Sequence, residues 1–152
     1  MQKVFPGAVI QFEDFANLNA SRVLHKYRDR VCCFNDDIQG TASVAPAGLY
    51  SALRVTGSTL AAKRLLFLGA GEAATGICDL VVAAMMGEGM LEAEARKRCR
   101  LVDSRGLVVR SRTELGEHNR PYAHEHPQVP DFVSAIMAIE PTAIIGDRKS
   151  VV

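Results

Sequence analysis

Short apolar runs alternate along the chain with longer segments that have helical spacing. Five runs of strand length are mainly apolar, and they lie at 8–12, 31–34, 64–68, 100–103 and 142–146. The segments between them predict helices at about 17–30 and 42–55, after the glycine-rich stretch 69–74 as far as about 86, and at 91–99 and 131–139. Strands that alternate with helices are typical of an α/β fold with a parallel sheet. The polar stretch 111–130 is expected to be a loop.

The composition narrows the class of protein. The chain has 152 residues, of which 48% are hydrophobic and 23% are charged, and its net charge is +1. These values are typical of a globular domain, without the strong basic field that nucleic-acid-binding proteins carry. The apolar run 73–86 contains Asp79 and is too short to span a bilayer. We therefore expect no nucleic-acid partner and no membrane segment.

The cysteines indicate the redox environment. There are four, none in a CxxC pair, and Cys32 and Cys33 are adjacent. This spacing does not suit a disulfide framework, and the first residues show no apolar stretch typical of a secretory signal. We expect free thiols in a reducing compartment.

A glycine-rich turn follows the third apolar run and leads directly into a predicted apolar helix. In a dinucleotide-binding unit the first glycine allows the tight turn, the second lets the backbone approach a pyrophosphate, and the helix N-terminus presents free N–H groups to phosphate. Ala74 and Gly76 would let the helix pack closely on the strand. The candidate cofactor contacts are Gly69, Ala70, Gly71, Glu72, Ala73 and Ala74. The setting predicts the first half of a Rossmann-like, doubly wound parallel sheet; a tight turn without a ligand is the alternative.

An acidic residue ends the fourth apolar run. Asp103 lies 32 residues after Gly71, farther than the roughly 20 residues of a simple unit. The additional predicted helix at 91–99 accounts for the difference. We expect Asp103 to bind the adenine ribose, because open α/β sheets bind ligands at the carboxyl ends of their strands. The alternative is a solvated turn residue that caps Gly106.

Two acidic pairs follow the first and second apolar runs. Glu13 and Asp14 come after the first, and Asp36 and Asp37 come after the second. If the two strands are neighbours, up to four carboxylates converge, and a hard divalent cation such as Mg²⁺ or Mn²⁺ would relieve their repulsion. By spacing alone, two ordinary surface pairs are the better interpretation.

Several blocks of the chain resemble the malic enzyme family in order and in spacing. They are IQFEDF at 10–15, FNDDIQGTA at 34–42, FLGAGEAA at 67–74, LVD at 101–103, GL at 106–107 and PTAIIG at 141–146. The resemblance covers residues 8–146, and the FNDDIQGTA block is highly specific. It changes the interpretation of the acidic pairs. Glu13, Asp14 and Asp37 match the family's three metal-binding carboxylates, and Asp36 matches an acidic residue that supports the site.

The resemblance also implies an activity. Malic enzymes are oxidoreductases that oxidise L-malate by hydride transfer to NAD(P)⁺ and then decarboxylate the product to pyruvate, with Mg²⁺ or Mn²⁺ at the site. The expected partners are malate and the dinucleotide, and the full-length protein is expected to be a cytoplasmic or mitochondrial homo-oligomer.

The resemblance implies that the chain is a fragment. Residues 1–34 would end the substrate-side domain, and 35–146 would form part of the NAD(P)-binding domain. The family's tyrosine acid, lysine base and malate-binding arginine lie upstream, so no catalytic residue is expected here and the fragment alone should be inactive. Residues 147–152 do not follow the family. They can be encoded by GAT CGG AAG AGC GTC GTG, which resembles a common sequencing-adapter read, so we expect a non-native tail.

The choice of cofactor depends on the residues after Asp103. A carboxylate alone would favour NAD⁺, because it accepts from the ribose 2′-hydroxyl and repels a 2′-phosphate. NADP-preferring malic enzymes tend to follow the aspartate with a small serine, which matches Ser104. Arginines downstream could supply the cation that a 2′-phosphate needs, and they are Arg105, Arg110, Arg112 and Arg120. We predict NADP⁺, with NAD⁺ as the alternative.

Two other functions remain open from the sequence. The chain could belong to a non-catalytic dinucleotide- or metal-binding module that keeps the Rossmann fold. An intact upstream region with the tyrosine and lysine would favour the enzyme, and a genuine stop after Val152 would favour the module. Another amino- or hydroxy-acid dehydrogenase would share the glycine turn, but the segment 35–37 (NDD) argues against it.

Overall fold

The computed structural model describes residues 3–15 and 17–146. Its strands, in chain order, are β1 (Ile10–Phe12), β2 (Cys33–Asn35), β3 (Leu65–Leu68), β4 (Cys99–Asp103), β5 (Gly106–Leu107) and β6 (Ala143–Gly146). Its α-helices are α1 (Asn17–Tyr27), α2 (Thr41–Thr56), α3 (Glu72–Gly87), α4 (Glu92–Lys97) and α5 (Phe132–Ile139). One π-helical turn, Asp36–Gly40, joins β2 to α2, and we call it the π-turn. The predicted alternation of strands and helices is confirmed.

The larger sheet has four strands in the order β5-β4-β3-β6. β3 pairs in parallel with both β4 and β6, as the alternation predicts. β5 pairs antiparallel with β4, which the sequence pattern did not predict, because two residues are too few to show a period of two. The chain reverses at Gly106, whose φ of +100° favours glycine and whose Cβ, if present, would lie 2.0 Å from the Val129 carbonyl oxygen.

The core lies on both faces of β3. Leu65 and Phe67 pack with the buried side chains of α2 and α3, whereas Leu66 packs in a second cluster with Ala135 of α5. These three β3 side chains are fully buried. Successive side chains of a strand point to opposite faces, so helices cover both faces of this parallel sheet. The arrangement is that of a doubly wound, Rossmann-like sheet.

The smaller sheet consists of β1 and β2, which α1 connects. The two strands are parallel, with Ile10 opposite Cys33 and Phe12 opposite Asn35. The rings of Phe12 and Tyr27 lie 6.3 Å apart, which brings the end of α1 against β1. Parallel pairing places the carboxyl ends of both strands at one edge.

The segment 111–130 is not simply the polar loop that the sequence predicted. Tyr122 is fully buried in the core, and its hydroxyl donates a hydrogen bond to the Asp79 carboxylate. The Arg96 guanidinium lies 5.2 Å from the centre of the Tyr122 ring. Burial, together with this hydrogen bond, raises the pKa of Tyr122. One aromatic side chain thus anchors a polar segment, which the average polarity of that segment could not indicate.

Several other expectations concern boundaries and thiols. None of the helices in 3–15 and 17–146 combines the length and apolar character that crossing a membrane requires. All four cysteines are free, and Cys78 and Cys99 are buried. The predicted domain boundary at 34/35 falls within β2 and stays a prediction. Residues 147–152 lie outside the described residues.

Candidate functional site

Three carboxylates meet at the edge formed by the ends of β1 and β2. One carboxylate oxygen each from Glu13, Asp14 and Asp37 lies within 4.8 Å of the others. The backbone N–H of Asp14 donates to Asp37 Oδ2 at 3.1 Å. This convergence follows from the parallel register. Because β1 and β2 end at the same edge of the sheet, the residues that follow them lie side by side. Three like charges this close repel one another, and a divalent cation with oxygen ligands would relieve the repulsion.

Local geometry orients the two carboxylates after β1. Asp14 has a φ of +55°, in the left-handed region that aspartate tolerates better than most residues, and this ends the extended path of the strand. Gln11 Nε2 donates to Glu13 Oε2 at 2.7 Å. Both carboxylates are exposed in this chain, whereas Asp37 is half-buried.

Asp36, the fourth acidic residue, lies apart from the other three. Its carboxylate folds over Gly40, where a Cβ would lie only 2.2 Å from Asp36 Oδ1. A cavity of about 400 Å³ opens beside it. Its lining includes Asp36, Gly40, Thr41, Val44, Ile145 and Gly146. The cavity therefore lies between the π-turn and the carboxyl end of β6 in the larger sheet.

The glycine-rich turn has the backbone that the sequence predicted. Gly69 has a φ of +143°, which favours glycine, and α3 begins three residues later at Glu72. At Gly71 an added Cβ would meet no atom within 4 Å, so the space above this residue is open. Ala74 is fully buried in the core. The turn and the helix N-terminus together leave room for a phosphate group to approach the backbone.

The expected role of Gly76 was wrong in one respect. Gly76 does not serve contact between α3 and the strand; a Cβ there would lie 3.1 Å from the Ile38 carbonyl oxygen and 3.3 Å from Ile38 Cγ2. The small residue instead allows α3 to approach the π-turn. The sequence could not show this, because the π-turn lies far from α3 along the chain.

Asp103 is held by an arginine. Arg112 Nη2 lies 2.6 Å from Asp103 Oδ2, and Arg112 Nη1 donates to Oδ1 at 3.0 Å. The backbone N–H of Arg105 also donates to Asp103 Oδ1, at 2.8 Å. The Arg112 side chain is only 11% exposed. An ion pair with two hydrogen bonds and little exposure compensates the negative charge of the carboxylate. The sequence could not reveal this pairing.

The other arginines of this region have different environments. Arg105 forms an ion pair with Glu114, and Arg110 forms an exposed ion pair with Glu125. Arg110, Arg112 and Arg120 together line a cavity of about 460 Å³. Ser104 is exposed at the turn between β4 and β5. Positive side chains therefore concentrate beyond the carboxyl end of β4.

The family follows from comparison with known proteins. The sequence model described as the malic enzyme, NAD binding domain, matches residues 38–150. This chain belongs to the malic enzyme family. The resemblance expected from the sequence is therefore confirmed, together with the NAD(P)-binding character of the domain.

Curated malic enzymes resemble the chain over most of its length. It is 54% identical to the NADP-dependent malic enzyme of Rattus norvegicus and 52% identical to that of Homo sapiens, over 92% of this chain and 24% of each relative. A mitochondrial NADP-dependent malic enzyme of Homo sapiens is 51% identical over the same share of this chain. The chain thus spans about a quarter of the length of the curated relatives it matches, which is 24% for the Rattus norvegicus and Homo sapiens enzymes named first.

Solved structures of malic enzymes resemble the fold. The crystal structure of the Entamoeba histolytica malic enzyme matches with a TM-score of 0.73 and 26% identity, over 95% of this chain and 30% of that one. A second, described as a putative malic enzyme, has the same TM-score at 22% identity, over 99% of this chain and 39% of that one. The second likeness concerns the fold alone.

Proposed function

We propose that the full-length protein oxidises L-malate to pyruvate and CO₂, with reduction of NADP⁺ and with a divalent cation at the site. The observation that carries this proposal is the convergence of the Glu13, Asp14 and Asp37 carboxylates within 4.8 Å, in a chain of the malic enzyme family. The oligomeric state, the cytoplasmic or mitochondrial location and the inactivity of the fragment stay predictions.

The three carboxylates would hold Mg²⁺ or Mn²⁺. Their chemistry fits such an ion, since hard divalent cations prefer carboxylate oxygens, and the Asp14 N–H to Asp37 hydrogen bond orients one of them. A bound ion supplies a Lewis acid at the C2 oxygen of malate. Asp36 lies beside the cavity near β6, outside the trio. By the family resemblance it would support the site.

The larger sheet would bind the dinucleotide. Bound NADP⁺ supplies the hydride acceptor. Gly69 turns the chain, Gly71 leaves open space for the pyrophosphate, and the first backbone N–H groups of α3 would donate to it. The proposed contacts remain Gly69, Ala70, Gly71, Glu72, Ala73, Ala74, Asp103 and Ser104.

The ion pair between Asp103 and Arg112 supports NADP⁺ over NAD⁺. A free carboxylate would repel a 2′-phosphate, but Arg112 compensates its charge through two hydrogen bonds. Arg120 lines the adjacent cavity and would add positive charge there, whereas the charge of Arg110, which also lines it, is paired with Glu125. The relatives named above are described as NADP-dependent, which points in the same direction.

The test uses the full-length protein. We expect Asp37→Ala to abolish malate-dependent NADP⁺ reduction and to weaken Mn²⁺ binding, with the fold intact by circular dichroism. Asp29→Ala is the matched control, since Asp29 is exposed in the turn after α1. Near-normal turnover of Asp37→Ala at limiting Mn²⁺ would rule out the metal assignment. A wild-type protein that binds NADP⁺ but never turns over malate would favour the non-catalytic module.

A further inference from the structure

The π-turn is an unusual connection between β2 and α2. The Thr41 N–H donates to the Asp36 carbonyl oxygen, five residues back, which is the bond of a π-helical turn. Such turns are rare, and they occur often at functional sites. The segment that carries Asp37 also receives hydrogen bonds from outside its own backbone ladder.

Two side chains provide these hydrogen bonds: the Asn35 side chain caps the backbone of Ile38, and the Gln39 side chain caps the backbone of Asn35. Asn35 Oδ1 accepts from the Ile38 N–H at 2.9 Å, and Gln39 Oε1 accepts from the Asn35 N–H at 3.0 Å. The pair resembles a capping box, in which a residue at the start of a helix and one in its first turn satisfy each other's N–H groups. Asn35 is fully buried, so its N–H needs this partner.

Asp37 lies inside the loop of hydrogen bonds that this pair closes. Its neighbour Ile38 donates to Asn35, and Gln39 reaches back across it to the end of β2. Its carboxylate in turn accepts from the Asp14 N–H. The backbone of Asp37 is thus fixed from one side and its carboxylate from the other.

This bracing opposes a specific force. With carboxylate oxygens of Glu13, Asp14 and Asp37 within 4.8 Å, mutual repulsion pushes the π-turn away from β1. Glu13 and Asp14 follow β1, whose ladder with β2 ends at the pair of Phe12 and Asn35. The Gln39 hydrogen bond acts at that same residue, at the point where strand pairing stops.

We propose that Gln39 is a positioning residue for the metal site, because its side-chain oxygen holds the Asn35 N–H and thereby fixes where Asp37 lies relative to Glu13 and Asp14. This inference rests on the proposed metal site. Gln39 belongs neither to the trio of carboxylates nor to the glycine-rich turn. Its side chain is exposed in this chain, so its replacement leaves no cavity in the core.

The test measures Mn²⁺ binding to the full-length protein by electron paramagnetic resonance of the free ion, without malate or dinucleotide. Gln39→Met keeps the length of the side chain and removes the acceptor, whereas Gln39→Glu keeps an acceptor oxygen. Loss of an outer partner of a metal ligand typically weakens metal affinity by about 10- to 100-fold, and we expect a loss in this range for Gln39→Met. Gln39→Glu should bind with close to the wild-type affinity.

The control is Gln128→Met, the same chemical change at an exposed position in the loop before α5. It should bind Mn²⁺ as the wild type does. Wild-type affinity in Gln39→Met would overturn the inference and leave the metal site itself untouched. A loss in Gln39→Glu as large as that in Gln39→Met would also overturn it, because the acceptor would then be irrelevant. Equal Mn²⁺ binding by the wild type and Asp37→Ala would overturn both the inference and the proposed site.

Discussion

Gly76 of α3 faces the carbonyl oxygen of Ile38 so closely that a Cβ at position 76 would lie 3.1 Å from that oxygen. Ile38 follows Asp37 in the π-turn, and Gly76 lies in the second turn of the helix whose N-terminus faces the proposed pyrophosphate site. The two halves of the proposed active site are therefore in direct contact through one glycine. A change at this contact can reach the metal carboxylates without touching either ligand.

We expect Gly76→Ala to weaken Mn²⁺ binding and to lower the free energy of unfolding by at most about 2 kcal/mol. Alanine in place of glycine in a helix favours folding by about 1 kcal/mol. Crowding against Ile38 costs about the same or more, about 1–3 kcal/mol. The strain falls on the residue next to Asp37, so the Mn²⁺ dissociation constant should rise severalfold in a direct binding measurement.

Gly48→Ala is the matched control for this helix substitution. Gly48 lies inside α2, where an added Cβ would meet nothing within 4 Å. It should raise stability by about 1 kcal/mol in urea unfolding and leave Mn²⁺ affinity unchanged. If Gly76→Ala behaves in the same way, the contact with Ile38 does not constrain the metal site.

Removal of the Arg112 guanidinium should shift the choice of cofactor. In Arg112→Gln the Asp103 carboxylate loses both side-chain donors and regains its full repulsion for a 2′-phosphate. Hydrogen bonds to charged groups contribute about 1.5–3 kcal/mol, so we expect kcat/KM for NADP⁺ to fall at least about tenfold. NAD⁺, which has a 2′-hydroxyl, should be affected much less.

The measurement is the ratio of kcat/KM for NADP⁺ to that for NAD⁺ in the full-length protein. Arg54→Gln, an exposed position in α2, removes the same charge away from Asp103 and should leave the ratio unchanged. An unchanged ratio in Arg112→Gln would show that the ion pair has no part in cofactor choice.

His124 should make the protein sensitive to acid. Its Nε2 lies 3.0 Å from the Cys99 carbonyl oxygen, and burial, followed by the nearby charge of Arg100, lowers the pKa of His124 from 6.5 to about 4. Between these two values the unfolded chain binds more protons than the folded protein. The free energy of unfolding therefore decreases as the pH falls from 6.5 to about 4.

His124→Gln keeps a donor for the Cys99 carbonyl and removes the titrating ring. Its melting temperature should decrease less than that of the wild type over this pH interval. His25→Gln, an exposed position in α1, serves as the control and should keep the wild-type slope. If the melting temperatures of His124→Gln and the wild type change equally with pH, His124 is not the source of the acid sensitivity.

Local features of the sequence determined much of the fold. The apolar run at β3, the glycine-rich turn and the helix after it follow from contiguous residues, since periods of 2 and 3.6 arise from the backbone itself. The helix predicted at 131–139 is α5, and the carboxylate of Asp131 caps it by accepting from the Ser134 N–H at 2.8 Å. The family was also evident, because its most specific block, 34–42, is contiguous.

Only the tertiary structure decided which of these residues meet. Three of the four acidic residues converge while Asp36 folds over Gly40. Spacing alone treats the two aspartates of the pair alike, and only the family resemblance distinguished them. Their separation depends on the π-turn, which has no distinct hydrophobic period and is held by Asn35 and Gln39. The pairing of Asp103 with Arg112 likewise depends on the reversal at β5. These contacts arise from strand register and helix packing, which are long-range properties that no local pattern encodes.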